Sequence, residues 1–327
     1  MGISFRTEID IQKPVYKIDY SSQAMFIGSC FSDHIGGELK RLKFPVLLNP
    51  FGVLYNPASI ASVLKMLIGE KRIGKNDLIF HDHKWHSFLL HGSFSHPKAE
   101  VVIEKGNKAL AESYAFLKKA SYLFVTFGTA WVFNYKKTGN IVSNCHKIPA
   151  VDFERYRLDV SQIVDQWNEF LIALHQFNPN LKIVFTISPV RHMKDGAHEN
   201  QLSKATLFLA THQLNAQVNN TSYFPSYEIV HDELRDYRFY APDMVHVADV
   251  AVKYIFEKFA NTFFNDKTIR CKNEMLQLVK ALEHRVEGNT RQNIELFKES
   301  MLKKIRVFEE KYTEIDFQFE KNYFEML

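Results

Sequence analysis

Cysteine is scarce in this chain. Cys30, Cys145 and Cys271 are the only three among 327 residues, they lie far apart, and none belongs to a Cys-x-x-Cys pair. An odd, scattered set excludes a disulfide framework and argues against structural zinc. An excess of one charge is also missing. Lysine and arginine number 41 against 37 aspartate and glutamate, a net +4, and the two signs are intermixed along the chain. Without a basic stripe carrying interleaved aromatics, no nucleic-acid partner is expected. Long apolar runs are lacking as well. Residues 1–14 are polar with no hydrophobic signal core, and no later segment has the length of a membrane span. The expectation is a reduced, cytoplasmic protein with no membrane partner. No internal repeat and no low-complexity segment interrupts it.

What is present is an ordinary globular balance, 46% hydrophobic and 24% charged residues, with 28 Phe and 14 Tyr. Aromatics in such numbers fill cores or line an apolar or carbohydrate-binding pocket. The length suits one large α/β domain with an appendage, or two small domains. Residues 1–22 read as a polar lead-in with room for one edge strand. Four apolar runs read as buried strands: Ala24-Met-Phe-Ile-Gly, Ser121-Tyr-Leu-Phe-Val-Thr-Phe-Gly-Thr, Lys182-Ile-Val-Phe-Thr-Ile-Ser-Pro and Tyr223-Phe-Pro-Ser-Tyr-Glu-Ile-Val. A shorter strand lies within residues 44–57, a turn-rich stretch with two Asn-Pro steps. Helical periods cover 33–42, 57–67, 99–119, 160–177, 198–219 and 250–259. Strands alternating with helices of this length predict a parallel sheet with helices on both faces. Residues 131–145 read as a hairpin turning at Thr138-Gly-Asn. From Met275 apolar residues recur at steps of three and four, break at Gly288-Asn289, and resume from Ile294 to Ile315. This is an αα-hairpin with a heptad-like seam. The expected division is therefore 1–265, an α/β domain, and 270–327, a helical hairpin. The hairpin docks on the core or pairs with a second copy as a homo-oligomer.

The chemistry gathers where strands end. In Phe26-Ile-Gly-Ser-Cys-Phe-Ser a buried strand passes into a helix within two or three residues of Ser29. A helix N-terminus at a strand's carboxyl end offers unpaired N–H groups and a positive dipole end. A serine there can serve as a nucleophile or merely as an N-cap. Cys30, the competing nucleophile, is also read as a small buried hydrophobe. More than two hundred residues later comes Asp243-Met-Val-His246, just ahead of the last helix of the α/β part. An Asp three residues before a His can orient the imidazole, which then activates a serine brought alongside. Gly128-Thr129 and Arg191-His192 end two further strands. His146 and His192 are candidates for pocket contacts and equally for structural histidines. Arg191, Arg235 and Arg238 can clamp an anion, although Arg235 and Arg238 have Asp232, Glu233 and Asp236 at hand for ion pairs. Residues 78–97 hold His81, His83, His86, His91 and His96. Alternation puts His81 and His83 on one face of a strand, as a two-ligand metal edge would need, yet no HExxH helix or companion cysteine accompanies them. A pocket-lining or surface loop is the preferred reading.

In these blocks the chain resembles the GSCFA family. Phe26-Ile-Gly-Ser-Cys-Phe-Ser matches the motif that names it, with Ser32 in place of the final alanine. The likeness runs on in order through Asn49-Pro-Phe-Gly-Val-Leu-Tyr-Asn-Pro, Phe127-Gly-Thr-Ala-Trp-Val-Phe, Asn144-Cys-His-Lys-Ile-Pro, Ser188-Pro-Val-Arg-His-Met-Lys-Asp-Gly, Phe224-Pro-Ser-Tyr-Glu-Ile and Asp243-Met-Val-His. It spans about residues 20–260 and leaves the helical tail outside. The family is similar to the SGNH (GDSL-like) hydrolases, which cleave acyl esters. The resemblance implies a flavodoxin-like three-layer α/β/α sandwich, with Ser29 as nucleophile, His246 as general base and Asp243 as its orienting carboxylate. Gly52 matches the glycine of the second block, so the N–H groups of Ser29 and Gly52 are expected to hold the oxyanion. At the third block those enzymes carry Gly-x-Asn-Asp, whereas here stands Gly128-Thr129-Ala130-Trp131. The oxyanion asparagine is missing, and either Asn144 or His146 substitutes or backbone N–H groups serve alone.

The reading is a serine esterase that removes a short O-acyl group, such as acetyl, from a small-molecule or carbohydrate ester, with no cofactor and no metal. Three alternatives remain open at this stage. They are an O-acyltransferase with the same triad, a binding or scaffold protein on this fold, and a metal hydrolase built on the histidines of residues 81–96.

Overall fold

The computed structural model describes residues 6–283 and 291–327. The predicted Gly288-Asn289 break, together with Val286, lies outside the described residues. Five strands form the central sheet: β1 (Ala24–Gly28), β2 (Val46–Leu48), β3 (Tyr122–Phe127), β4 (Lys182–Ile187) and β5 (Thr221–Phe224). Their order is β2-β1-β3-β4-β5 and every pairing is parallel. This is the doubly wound order of flavodoxin-like sheets. The chain reverses its progress across the sheet between β1 and β3, and ligands of such sheets bind at that switch point.

Period-two alternation divides each strand between two cores. Met25 and Ile27 of β1, Leu123, Val125 and Phe127 of β3, and Ile183, Phe185 and Ile187 of β4 face one side. They meet α2 (Pro57–Ile68), α3 (Ala99–Lys119), α4 (Val160–Phe177) and α5 (Gly196–Gln217) there. Ala24, Phe26, Tyr122, Phe124 and Val184 face the other side, against α1 (Cys30–Arg41) and α6 (Asp249–Phe263). The three-layer sandwich is therefore present.

The C-terminal helices α7 (Asp266–Glu283), α8 (Arg291–Lys311) and α9 (Gln318–Met326) extend this second core. Met275, Leu278, Ile305, Phe308 and Phe324 share it with Ile18, Phe44 and Phe264. The helical seam packs against the α/β layers. Ion pairs reinforce the junction, Lys43–Glu320 at 2.6 Å and Arg41–Glu283 at 2.7 Å.

Three local expectations change. Asp82 and His83, both at positive φ, form the two-residue turn between Leu78–His81 and Lys84–Ser87, so His83 is not on a strand face beside His81. The predicted hairpin of residues 131–145 gains a third strand, Phe153–Arg157, paired with Trp131–Tyr135. Its exposed charges, Glu154 and Arg155, hid it. The last strand stops at Phe224, because Pro225 has no N–H to continue a ladder. Residues 226–233 then coil helically, with the Ser226 hydroxyl donating to the Ile187 carbonyl at 2.8 Å.

Candidate active site

The site is built where β1 ends. Gly28 has φ +140°, and a Cβ there would overlap the Thr126 carbonyl oxygen of β3. Only glycine lets the two backbones come this close. Ser29 follows and N-caps α1, its Oγ accepting the Phe31 N–H at 3.3 Å. The expected strand-to-helix junction is thus reached within one residue. Cys30 occupies the first helical position, and burial pushes its thiol pKa up, which keeps it protonated and a poor nucleophile.

Gly128, at the end of neighbouring β3, stands directly beside Ser29. A Cβ on Gly128 would lie 3.3 Å from the Ser29 Cβ and 3.5 Å from the His192 Nε2. The His192 ring therefore borders the serine from the end of β4. Its amide donates to the Asn200 side chain at 2.9 Å, and its ring packs edge-on to Tyr55 at 5.5 Å. Burial first, then the nearby Lys204 ammonium, lowers the His192 pKa to about 4. At neutral pH this imidazole is uncharged and carries one N–H donor.

Asp243 and His246 form a closed unit on the loop before α6. Asp243 Oδ2 and His246 Nδ1 are 2.6 Å apart, while Oδ1 accepts the backbone N–H groups of His246 and Val245 at 2.9 and 3.0 Å. Those two amide bonds, and then the imidazole, hold the Asp243 pKa down to about 2. With Nδ1–H given to the carboxylate, the neutral ring presents Nε2 as its basic nitrogen. Asp243 and Val245 line one cleft with Arg191, which lies just beyond the carboxyl end of β4. No hydrogen bond joins the Ser29 hydroxyl to an imidazole among the described residues, and such bonds commonly tighten only with substrate bound.

The backbone donors differ from expectation. The Ser29 amide donates to the Thr126 carbonyl at 3.1 Å, and the Gly52 amide to the Asn49 carbonyl at 2.8 Å. The first continues the β1–β3 ladder one residue beyond Gly28, and the second closes a turn with Gly52 at φ +80°. Neither N–H is free for an oxyanion. The amides of Gly128 and Thr129 are likewise given to the Tyr55 carbonyl, at 2.8 and 3.0 Å. Thr129 Oγ1 faces Ser203 on α5 at 3.1 Å.

Asn144 and His146 sit with the histidine-rich hairpin. The Asn144 side-chain oxygen accepts the His146 amide at 2.8 Å, and His146 Nε2 meets the Ser87 carbonyl at 2.8 Å. The His86 ring packs, tilted, against His146 at 4.5 Å and spends its own nitrogens on Ser95 and the His81 carbonyl. No group of three or more His, Cys, Asp or Glu side chains fit to hold a metal occurs among the described residues. Of the predicted pairs, Arg235–Asp232 is present at 3.5 Å and Arg238–Asp236 at 2.8 Å.

Sequence reasoning missed Lys204. Its ammonium is fully buried and donates to the carbonyls of Gly128 and Ser188, each at 2.7 Å, tying the ends of β3 and β4 together. Burial lowers its pKa to about 7. A signal existed: Asn200, Lys204, Leu207, Thr211 and Leu214 make one buried stripe on α5, and a lysine in such a stripe needs a reason. Asn49 was also missed. Its side chain accepts the Gly28 amide at 2.9 Å and donates to Asp33 at 2.8 Å, fixing β1 to α1.

The buried imidazoles make stability depend on pH. His146, His192 and His231 all have pKa values lowered to about 4 by burial, against about 6.5 in an unfolded chain. Between pH 6.5 and 4 the unfolded chain binds protons that the folded one refuses, so stability falls on acidification. Each histidine adds a slope of up to about 1.4 kcal/mol per pH unit. Urea titrations from pH 7 to 4 are expected to show this fall, made shallower by His146→Gln. An unchanged midpoint between pH 6.5 and 4 contradicts it.

The family model described as the GSCFA family matches residues 23–259. No curated protein matches the sequence. Among solved structures, the acetyl xylan esterase Est2A from the rumen bacterium Butyrivibrio proteoclasticus aligns with TM-score 0.37 and 13% identity. That alignment covers 76% of this chain and 64% of the esterase, so this chain spans less than two thirds of its length. A carbohydrate esterase family 3 protein from Talaromyces cellulolyticus aligns with TM-score 0.36 and 8% identity, over 79% of this chain and 98% of that one. The Clostridium thermocellum family 3 carbohydrate esterase does so with TM-score 0.33 and 10% identity, over 80% and 98%.

Proposed function

The chain belongs to the GSCFA family, and from that membership we propose that it is a serine esterase of the SGNH type, acting on a short-chain O-acyl ester. The observation that carries this is the junction at the switch point. Ser29 caps α1 where β1 ends, and a carboxylate-oriented imidazole is held 2.6 Å from its acid on a loop that shares a cleft with Arg191, next to His192. In the first half-reaction Ser29 Oγ attacks the acyl carbon and His246 Nε2 takes the hydroxyl proton. The carbon–oxygen bond to the alcohol breaks, and the alcohol leaves with that proton. Water then attacks the acyl-enzyme, giving its proton to His246, and Ser29 is released as its oxygen regains a proton from the imidazolium.

The tetrahedral oxygen needs a donor, and the Ser29 and Gly52 amides are already engaged. His192 is the side chain best placed to supply one, since its Nε2 borders Ser29 across Gly128. Its low pKa suits the role, because a neutral imidazole donates without first losing a proton to solvent. Lys204 acts at one remove, holding the Gly128 and Ser188 carbonyls on either side of that contact.

A fluorophosphonate probe tests the assignment directly. It is expected to label the purified protein once, on the peptide carrying Ser29, and labelling is expected to vanish in His246→Ala. Absence of labelling in well-folded protein, or labelling at another residue, refutes the nucleophile.

A further inference from the structure

A cleft of about 510 Å³ opens beside the catalytic loop. Asp243, Met244 and Val245 form one wall, so the turn that carries His246 also lines the cleft. Arg191, one residue before His192, lines it too. Tyr237, Tyr240 and His231 complete it. The size suits one ring-sized ligand with its substituents.

The charges in the cleft are unequally satisfied. Arg235 pairs with Asp232 at 3.5 Å, and Asp236 takes the Arg238 guanidinium at 2.8 Å. Asp243 is committed to His246 and two backbone amides. His231 spends one ring nitrogen on the Pro189 carbonyl at 3.0 Å and the other on the Tyr240 hydroxyl at 3.2 Å. Arg191 is the exception. Among the described residues its guanidinium has no carboxylate and no acceptor, and its Nε is buried without a partner. Its charge also bears on the buried Lys204. A half-buried guanidinium whose Nε finds no acceptor is costly unless a ligand supplies one.

Resting on the esterase reading above, we infer that the preferred substrate is an anionic ester, one whose ring carries a carboxylate that Arg191 clamps while Ser29 attacks the acyl group. A planar guanidinium matches a carboxylate with two parallel hydrogen bonds, and the tyrosine walls suit the flat ring, sugar or aromatic, that bears it. Arg191 then confers specificity, and its loss weakens binding of the charged ester alone.

The test compares 4-acetoxybenzoate with its neutral methyl ester, which share one acetyl ester and differ in one charge. The parental protein is expected to favour the anion at least about tenfold in kcat/KM, chiefly through KM. Arg191→Gln is expected to bring the ratio of the two esters close to one, and Arg191→Lys is expected to retain part of the preference. A ratio unchanged in Arg191→Gln, or no preference in the parental protein, overturns the inference. Ligand-observed NMR with 4-hydroxybenzoate, read in the parental protein and in Arg191→Lys, needs no turnover and tolerates an unstable glutamine variant. Arg191-dependent binding without hydrolysis of either ester upholds the anion site and fails the esterase reading. Hydrolysis without Arg191-dependent binding does the reverse.

Discussion

Ser29→Ala is expected to lower kcat for p-nitrophenyl acetate by about 10⁴-fold or more while the protein remains folded. The two effects separate because the hydroxyl has two unequal duties. As an N-cap it accepts one amide at 3.3 Å, a long bond whose loss costs about 1 kcal/mol. As nucleophile it is the atom to which the acyl group transfers, and nothing nearby replaces it. Cys30, the adjacent candidate, has a thiol pKa raised by burial and offers little thiolate at neutral pH. The residual rate should come from His192 and from whatever positioning the cleft supplies. Circular dichroism and a urea titration alongside the assay separate lost chemistry from lost fold. Turnover at the parental rate in Ser29→Ala ends the serine-esterase proposal outright.

The parts of this site that could be read in the sequence are local. Ser29 sits at a junction marked by four apolar residues and a glycine, and α1 begins at the next residue. Asp243 and His246 are three apart, and one tight turn with Met244 at φ +58° brings their side chains together. The parallel sheet was also legible, because strands buried on both faces write continuous apolar runs. What could not be read depends on register between distant segments. The Gly28↔Thr126 alignment consumes the Ser29 amide, and the Tyr55 carbonyl consumes those of Gly128 and Thr129. No motif records that a backbone donor is already taken. For the same reason the missing third-block asparagine pointed to Asn144 and His146, whereas the ring bordering Ser29 is His192, brought there by the pairing of β3 with β4. The strand at 153–157 was lost to its exposed charges. The end of β5 was misread because Tyr227, Ile229 and Val230 are buried on a helical coil as thoroughly as strand residues would be.

Gly28→Ala is expected to cost about 3–6 kcal/mol and leave little folded protein at 37 °C. Two penalties add. At φ +140° an alanine is strained in its own backbone, and its Cβ would overlap the Thr126 carbonyl oxygen and lie 2.8 Å from the Thr126 nitrogen. Those neighbours are the backbone of β3, so no side chain can swing away to make room. Relief requires β1 to part from β3, which breaks the Ser29–Thr126 bond of 3.1 Å and shifts the nucleophile relative to Gly128 and His192. Gly37 provides the comparison within the next helix. A Cβ there meets nothing within 4 Å, so Gly37→Ala is expected to stabilise the protein by about 0.5–1 kcal/mol through helix propensity. Urea titrations of both variants measure the difference. If Gly28→Ala unfolds at the parental midpoint, the close contact of β1 with β3 is wrong, and the placement of Ser29 beside His192 falls with it.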